Sequence, residues 1–203
     1  MRHFVITIGR EYGSGGCEIA KRLSKLLDVE YYNNYFIDAA AIKLGVTSAT
    51  IAKLDENPDK KYIKDFESPN TKGTPSKINA KDVYDLHKKY IKELAENESC
   101  IIVGRCADYI LRDRDDVMSV FIYSPYEYRI RHIIERENCT AQEASEKIAY
   151  INRCRHNYHK LITGSVRGDR KLRNILIDSS FLGIEETADM LYEIIKKKFS
   201  WFS

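Results

Sequence analysis

A short apolar run, Phe4-Val5-Ile6-Thr7-Ile8, stops at Gly9 and is followed almost at once by Gly13-Ser14-Gly15-Gly16. Such a β-favouring run bounded by glycine reads as a strand buried on both faces. Beyond the glycines, Ile19, Ala20, Leu23, Leu26 and Leu27 recur at helical spacing up to Asp28. The chain therefore opens as strand, glycine loop, helix. This unit constrains the fold more than any other stretch, because a helix leaving the carboxyl end of a doubly buried strand leads by a crossover to a parallel neighbour.

The rest of the pattern repeats the theme. Glu30 to Tyr32 is a second strand, and Tyr35 to Leu44 is a helix ending at Gly45. Residues 55–80 turn polar and hold three of the four prolines, which reads as an insertion. Helical spacing returns through Val83, Leu86, Tyr90, Ile91 and Leu94, followed by a buried strand Cys100–Val103 that ends at Gly104-Arg105. Val117 to Tyr123 is a strand, then come helices over 126–137 and 141–162. Thr140 with Glu143 three residues on is a capping box for the second of these. A strand Ile175–Ile177 and a helix over 184–199 complete the pattern. Strands alternating with helices predict an α/β three-layer sandwich on a mainly parallel sheet. One domain over 1–203 is expected.

Composition removes other classes. With 43% hydrophobic and 31% charged residues among 203, the chain has an ordinary globular makeup. No apolar run approaches the roughly 18 residues a membrane span needs, and the opening run is too short for a secretory signal core, so a cytoplasmic location and no membrane partner are expected. Five cysteines without a Cys-x-x-Cys pair fit reduced thiols rather than a disulfide framework or zinc site. Charge is unevenly placed: residues 150–175 hold seven Lys/Arg against the single acid Asp169, a local +6, so the remainder carries −3 of the overall +3. That segment alone would support a basic RNA-binding module, but no nucleic-acid motif accompanies it, and nucleic acid is not expected as a partner.

A glycine loop opening a helix turns backbone N–H groups toward a ligand, and the helix N-terminus adds partial positive charge, which makes a phosphate cradle of Gly13, Ser14, Gly15, Gly16 and Cys17. Gly-x-x-x-x-Gly-Lys-Ser/Thr is nevertheless absent: Gly16 takes the lysine position and Glu18 the hydroxyl position. Arg10 is the substitute cation. Phosphoryl transfer asks for cations that clamp oxygens, and the guanidinium fork does this with two donors at once. Arg105 leaves the carboxyl end of a strand, where ligands of open α/β sheets bind. Arg153 and Arg155 lie late in a helix but diverge by about 200°, so one of them faces away unless the helix frays. Arg131 is the candidate on the preceding helix, and Asp108 the nearest acid to Arg105. No metal-ligating cluster is visible.

Four blocks, Ile6 to Gly16, Ile102 to Leu111, Phe121 to Ile130 and Arg155 to Gly168, in this order and spacing, resemble the cytidylate kinase-like family, a P-loop group similar to nucleoside monophosphate kinases. The resemblance implies a core sheet, an acceptor-binding lobe for a monophosphate at 46–98 and an arginine-rich lid at 150–173. It also implies ATP as phosphoryl donor, Mg²⁺ as cofactor, and a nucleotide plus a small phosphorylated acceptor as partners. Arg105 matches the arginine that grips the acceptor phosphate, and Arg155 matches the lid arginine. The chain departs from relatives at Cys17 (arginine there), Asn33 and Asn152 (aspartate), Arg167 (tryptophan), and at Val103 and Cys106, where aspartates help read cytosine. The expected activity is therefore ATP-dependent phosphoryl transfer to a nucleoside monophosphate or similar small acceptor. The alternative is a nucleotide-binding regulator with weakened catalysis.

Overall fold

The computed structural model describes residues 3–56 and 80–202. Among them, five strands, β1 (Val5–Arg10), β2 (Glu30–Tyr32), β3 (Cys100–Val103), β4 (Val117–Tyr123) and β5 (Ile175–Asp178), form one sheet in the order β2-β3-β1-β4-β5. Every pairing is parallel. Helix α1 (Gly16–Leu27) follows β1, and α2 (Tyr35–Leu44), α3 (Ser48–Glu56) and α4 (Ala80–Asn97) lie between β2 and β3. The short α5 (Ala107–Ile110) leads to β4, α6 (Tyr126–Glu137) and α7 (Ala141–Thr163) lead to β5, and α8 (Ser179–Leu182) and α9 (Ile184–Lys198) end the fold. Residues 57–79, most of the proline-bearing stretch expected as an insertion, lie outside the described residues.

Period-2 alternation in the strands sorts the core into two layers. Phe4, Ile6 and Ile8 face α1 and α9 with Ile101, Val103, Val120 and Ile122, and the helices answer with Ile19, Leu23, Leu191 and Ile195. On the other face, Val5, Cys100 and Ile102 meet Phe36 of α2, Ile91 and Ala95 of α4, and Ala107 of α5. Each large aliphatic side chain buried this way contributes roughly 1.5–3 kcal/mol. These are the three layers expected from the alternating pattern.

Register decides what the sheet presents at its carboxyl edge. The β1–β3 ladder ends at Ile8 and Val103, while β1 runs on beside β4 to pair Gly9 with Phe121 and Arg10 with Ile122. Gly9-Arg10 and Gly104-Arg105 therefore emerge side by side. Here β1's connection departs toward β2 and β3's crosses back to β4, the kind of switch point at which open α/β sheets bind ligands.

Two elements differ from the sequence reading. The first strand extends through Gly9 to Arg10, because parallel pairing with β4 satisfies its backbone beyond the apolar run. Helix α3 was not expected; Ile51 joins Ala40, Ala41 and Val83 in a small satellite core that gives the helix its reason to form. The capping box at Thr140 is present in both halves, with Glu143 N–H donating to Thr140 Oγ1 at 3.3 Å and Thr140 N–H donating to Glu143 Oε2 at 2.8 Å.

Candidate functional site

The glycine loop is held from two sides. Gly13 and Gly15 adopt φ of 86° and 71°, the left-handed region where side chains are disfavoured. A Cβ on Gly13 would lie 3.0 Å from the Arg129 carbonyl of α6, and one on Gly15 would lie 2.6 Å from Ile184 at the start of α9. His132 Nδ1 lies 2.8 Å from the Gly13 carbonyl oxygen. Ser14 is fully buried, and its hydroxyl faces the carbonyls of Glu11 at 3.0 Å and Ile122 at 3.2 Å. The Ser14 hydroxyl is therefore committed inside the loop and offers no donor to a phosphate. What the loop presents is backbone, the first-turn N–H groups of α1 that helix geometry leaves without internal partners.

Arg10 takes up the space the glycines leave. Its Cβ lies 2.6 Å from where a Gly16 Cβ would stand, and its guanidinium fills the position of a Gly104 Cβ. From there it donates to Asn33 Oδ1 at 3.4 Å. Gly104, Arg105 and Cys106 follow with φ of 80°, 56° and 55°, three consecutive left-handed residues. Two of these carry side chains, at a cost of roughly 1–2 kcal/mol each. Backbone strain of this kind gathers at ligand sites, and here it turns the chain out of β3 so that Arg105 lines a cavity of about 330 Å³ together with Arg10, Cys17, Arg155 and Arg167.

The far wall comes from α7 and the turn after it. Arg155 Nη1 donates to the Arg10 carbonyl at 3.3 Å, and Arg167 donates to the same oxygen. Arg167 also reaches Asn152 Oδ1 at 3.4 Å, which in turn accepts from Tyr12 N–H at 3.0 Å. Burial, then the neighbouring Arg10 and Arg167, pushes the Arg155 pKa well below its ordinary value. Burial and Arg10 bring Arg167 down to about 10. Guanidinium remains protonated at neutral pH regardless; the depression reflects burial first and like-charge repulsion second, and an anion in the cavity would offset both.

Phe121 organises this wall. Its ring lies under both Arg167 and Arg173, with guanidinium carbons 5.6 and 5.9 Å from the centroid, and a Cβ on Gly168 would meet its edge at 3.1 Å. The segment after α7 thus packs on the second face of the sheet. Asp108, almost buried, pairs with Arg173 and lies 3.8 Å from His159 Nε2. Burial alone would raise its pKa, and the contacts with His159 and Arg173 outweigh burial and hold it low.

The structure brings Arg10, Arg105, Arg155, Asp108 and Cys17 to one cavity. Arg153 is exposed over the Tyr150 ring on the opposite side of α7, and Arg131 is exposed on α6; neither lines it. Sequence reasoning missed Arg167 as a site residue, along with Arg173 and Phe121. The +6 segment was the signal for the two arginines, but charge counting does not say which arginines fold inward, and Phe121 had no signal beyond its place in an apolar strand.

Comparison with known proteins places this geometry. A model of the cytidylate kinase-like family matches residues 5–181. No curated protein matches. An uncharacterized protein from Eubacterium ventriosum superposes with a TM-score of 0.70 at 24% identity, over 96% of this chain and 99% of that one. Shikimate kinase from Bacteroides thetaiotaomicron gives 0.55 at 13% identity, over 95% and 98% of the two chains. Shikimate kinase from Acinetobacter baumannii, in complex with shikimate, gives 0.54 at 12%, over 97% and 95%. At these identities the structures speak for the fold alone, a three-layer α/β sandwich on a parallel sheet. With the family match spanning most of its length, the chain belongs to the cytidylate kinase-like family.

Proposed function

We propose that this protein is a kinase that passes the terminal phosphoryl group of ATP to a nucleoside monophosphate or similar small acceptor. The observation that carries this reading is the convergence of Arg10, Arg105, Arg155 and Arg167 on one cavity at the carboxyl edge of β1 and β3. Such a site does its work by positioning and charge stabilisation, since phosphoryl transfer needs little covalent chemistry from the protein. ATP, when bound, supplies the phosphoryl group. The first-turn N–H groups of α1 and Arg10 suit its phosphates, Arg105 suits the acceptor phosphate, and Arg155 and Arg167 suit the transferring group while covering it from water. Residues 46–98 act as the acceptor lobe and 150–173 as the lid in this reading.

The described residues do not fit a Mg²⁺ site of the kind the family generally uses, which needs one or two free carboxylate or hydroxyl oxygens beside the phosphates. The helix position that would carry a hydroxyl is Glu18, which pairs with Arg136 at 3.0 Å. Glu11 faces Arg129 at 3.4 Å, and Asp108 is held by Arg173. The same engagement leaves no described carboxylate placed to take the acceptor proton, which favours the second reading, a nucleotide-binding regulator with weakened catalysis.

Phosphoryl transfer from γ-labelled ATP to a panel of monophosphates and small hydroxylated acids, with and without Mg²⁺, separates the two. Turnover of one acceptor is expected, with Arg105→Ala raising its KM by about tenfold, the worth of a charge-assisted contact. ATP binding without turnover of any acceptor would leave the regulator.

A further inference from the structure

Guanidinium groups in folded proteins normally pair with carboxylates; of the described arginines that line this cavity Arg173 does so, with Asp108, and Arg10, Arg155 and Arg167 do not. Among the described residues, Arg10, Arg155 and Arg167 take part in no ion pair; their hydrogen-bond partners are the Arg10 carbonyl and the amide oxygens of Asn33 and Asn152. Each partner is neutral. Three fixed positive charges therefore share one wall, and burial and mutual repulsion depress two of them. The nearby acids each pair with another cation: Glu18 with Arg136, Asp108 with Arg173 inside the same cavity, and Glu11 with Arg129. An oligophosphate complexed to a divalent cation has lost much of the negative charge these guanidinium groups would match, and the one carboxylate among the described residues lining the cavity, Asp108, is already paired. An uncomplexed oligophosphate finds three forked donors already in place.

We infer that the cavity binds an oligophosphate chain without a divalent cation, with Arg10, Arg155 and Arg167 supplying the neutralisation that a metal ion supplies elsewhere. The inference rests on the proposed phosphate-handling role of this cavity and adds how the charge is met. Asn33 and Asn152 set that preference. They accept hydrogen bonds from Arg10 and Arg167 without cancelling their charge. An aspartate at either place would accept the same bonds and remove one unit of positive field.

The test uses the whole chain stripped of metal, with isothermal titration of tripolyphosphate and of ATP in EDTA and then in excess Mg²⁺. Tripolyphosphate is expected to bind in EDTA at least as tightly as in Mg²⁺. Asn152→Asp, which keeps the size of the side chain and both accepted bonds, should weaken binding in EDTA by about tenfold, and Arg167→Gln by a similar factor, while Lys25→Ala, exposed at the far end of α1, leaves it unchanged. Circular dichroism and the thermal midpoint confirm that each variant is folded. Binding of both ligands only with Mg²⁺ overturns the inference and leaves the kinase reading intact. Binding in EDTA that neither Asn152→Asp nor Arg167→Gln alters overturns the assignment of the site. Failure to bind either ligand in any condition overturns both readings.

Discussion

Arg155 is the residue that stability alone would not choose. It is surrounded by Arg10, Arg105 and Arg167, and its pKa falls well below the usual arginine value because burial and those neighbours disfavour its charge. In the proposed function this positive group serves a ligand, and its removal should relieve the empty protein. Arg155→Met, similar in reach and without charge, is expected to raise stability by about 1–2 kcal/mol, a shift of a few degrees in the thermal midpoint. The same variant should lose phosphate binding. A midpoint that falls in a folded Arg155→Met protein would mean that its bond to the Arg10 carbonyl outweighs the repulsion. Arg105 shows a different cost: its left-handed backbone is strain that the turn out of β3 imposes.

At the level of elements, the glycine loop is anchored through Tyr12. Its hydroxyl donates to Glu137 at the end of α6 at 2.5 Å, and Glu137 also receives Arg136 and, from α7, Lys147. Burial acts to raise the Glu137 pKa, but the hydrogen bonds from Lys147, Tyr12 and Arg136 win and hold it at about 2. A carboxylate depressed in the folded state binds fewer protons than in the unfolded chain between about pH 4.5 and 2, so its stabilisation is complete above that window and lost as pH falls through it. Glu137→Gln should therefore flatten the decline in unfolding free energy over this range relative to the wild type, as followed by urea titrations at successive pH values. An equally steep decline in the variant would place the acid sensitivity elsewhere. The capping box at Thr140 was legible in four residues because its partners are adjacent in sequence, whereas the Tyr12–Glu137 tie spans the fold and has no local signature.

At the scale of the whole molecule, among the described residues the sixteen-residue core under α1 and α9 is far larger than the four-residue core that joins α2, α3 and α4. His87 lies fully buried where α4 meets the body, with its ring 6.1 Å from Phe36. Burial, helped by nearby Arg105, pushes its pKa down to about 3. The unfolded chain takes up this proton near pH 6.5 and the folded chain does not, so stability drops as pH falls from about 6.5 toward 3. Replacing it by leucine should remove part of that slope between pH 6.5 and 4.5, above the window in which Glu137 acts; an unchanged slope there would clear His87. The parallel sandwich, its strands and the capping box could be read from the sequence, since alternation, helical spacing and cap chemistry are local patterns that burial rewards wherever the chain goes. The glycine loop, Arg10 and Arg105 could be named from their places at strand ends, and Arg155 from the family resemblance. Helical spacing did not tell Arg155 from Arg153, find Arg167 over Phe121, or show that the Ser14 hydroxyl is committed to carbonyls. Those outcomes depend on parallel register and on how α7 and the turn after it pack on the sheet. The +6 segment was a fact of the sequence, but only long-range packing decided which of its charges would meet at one cavity with amides rather than carboxylates against them.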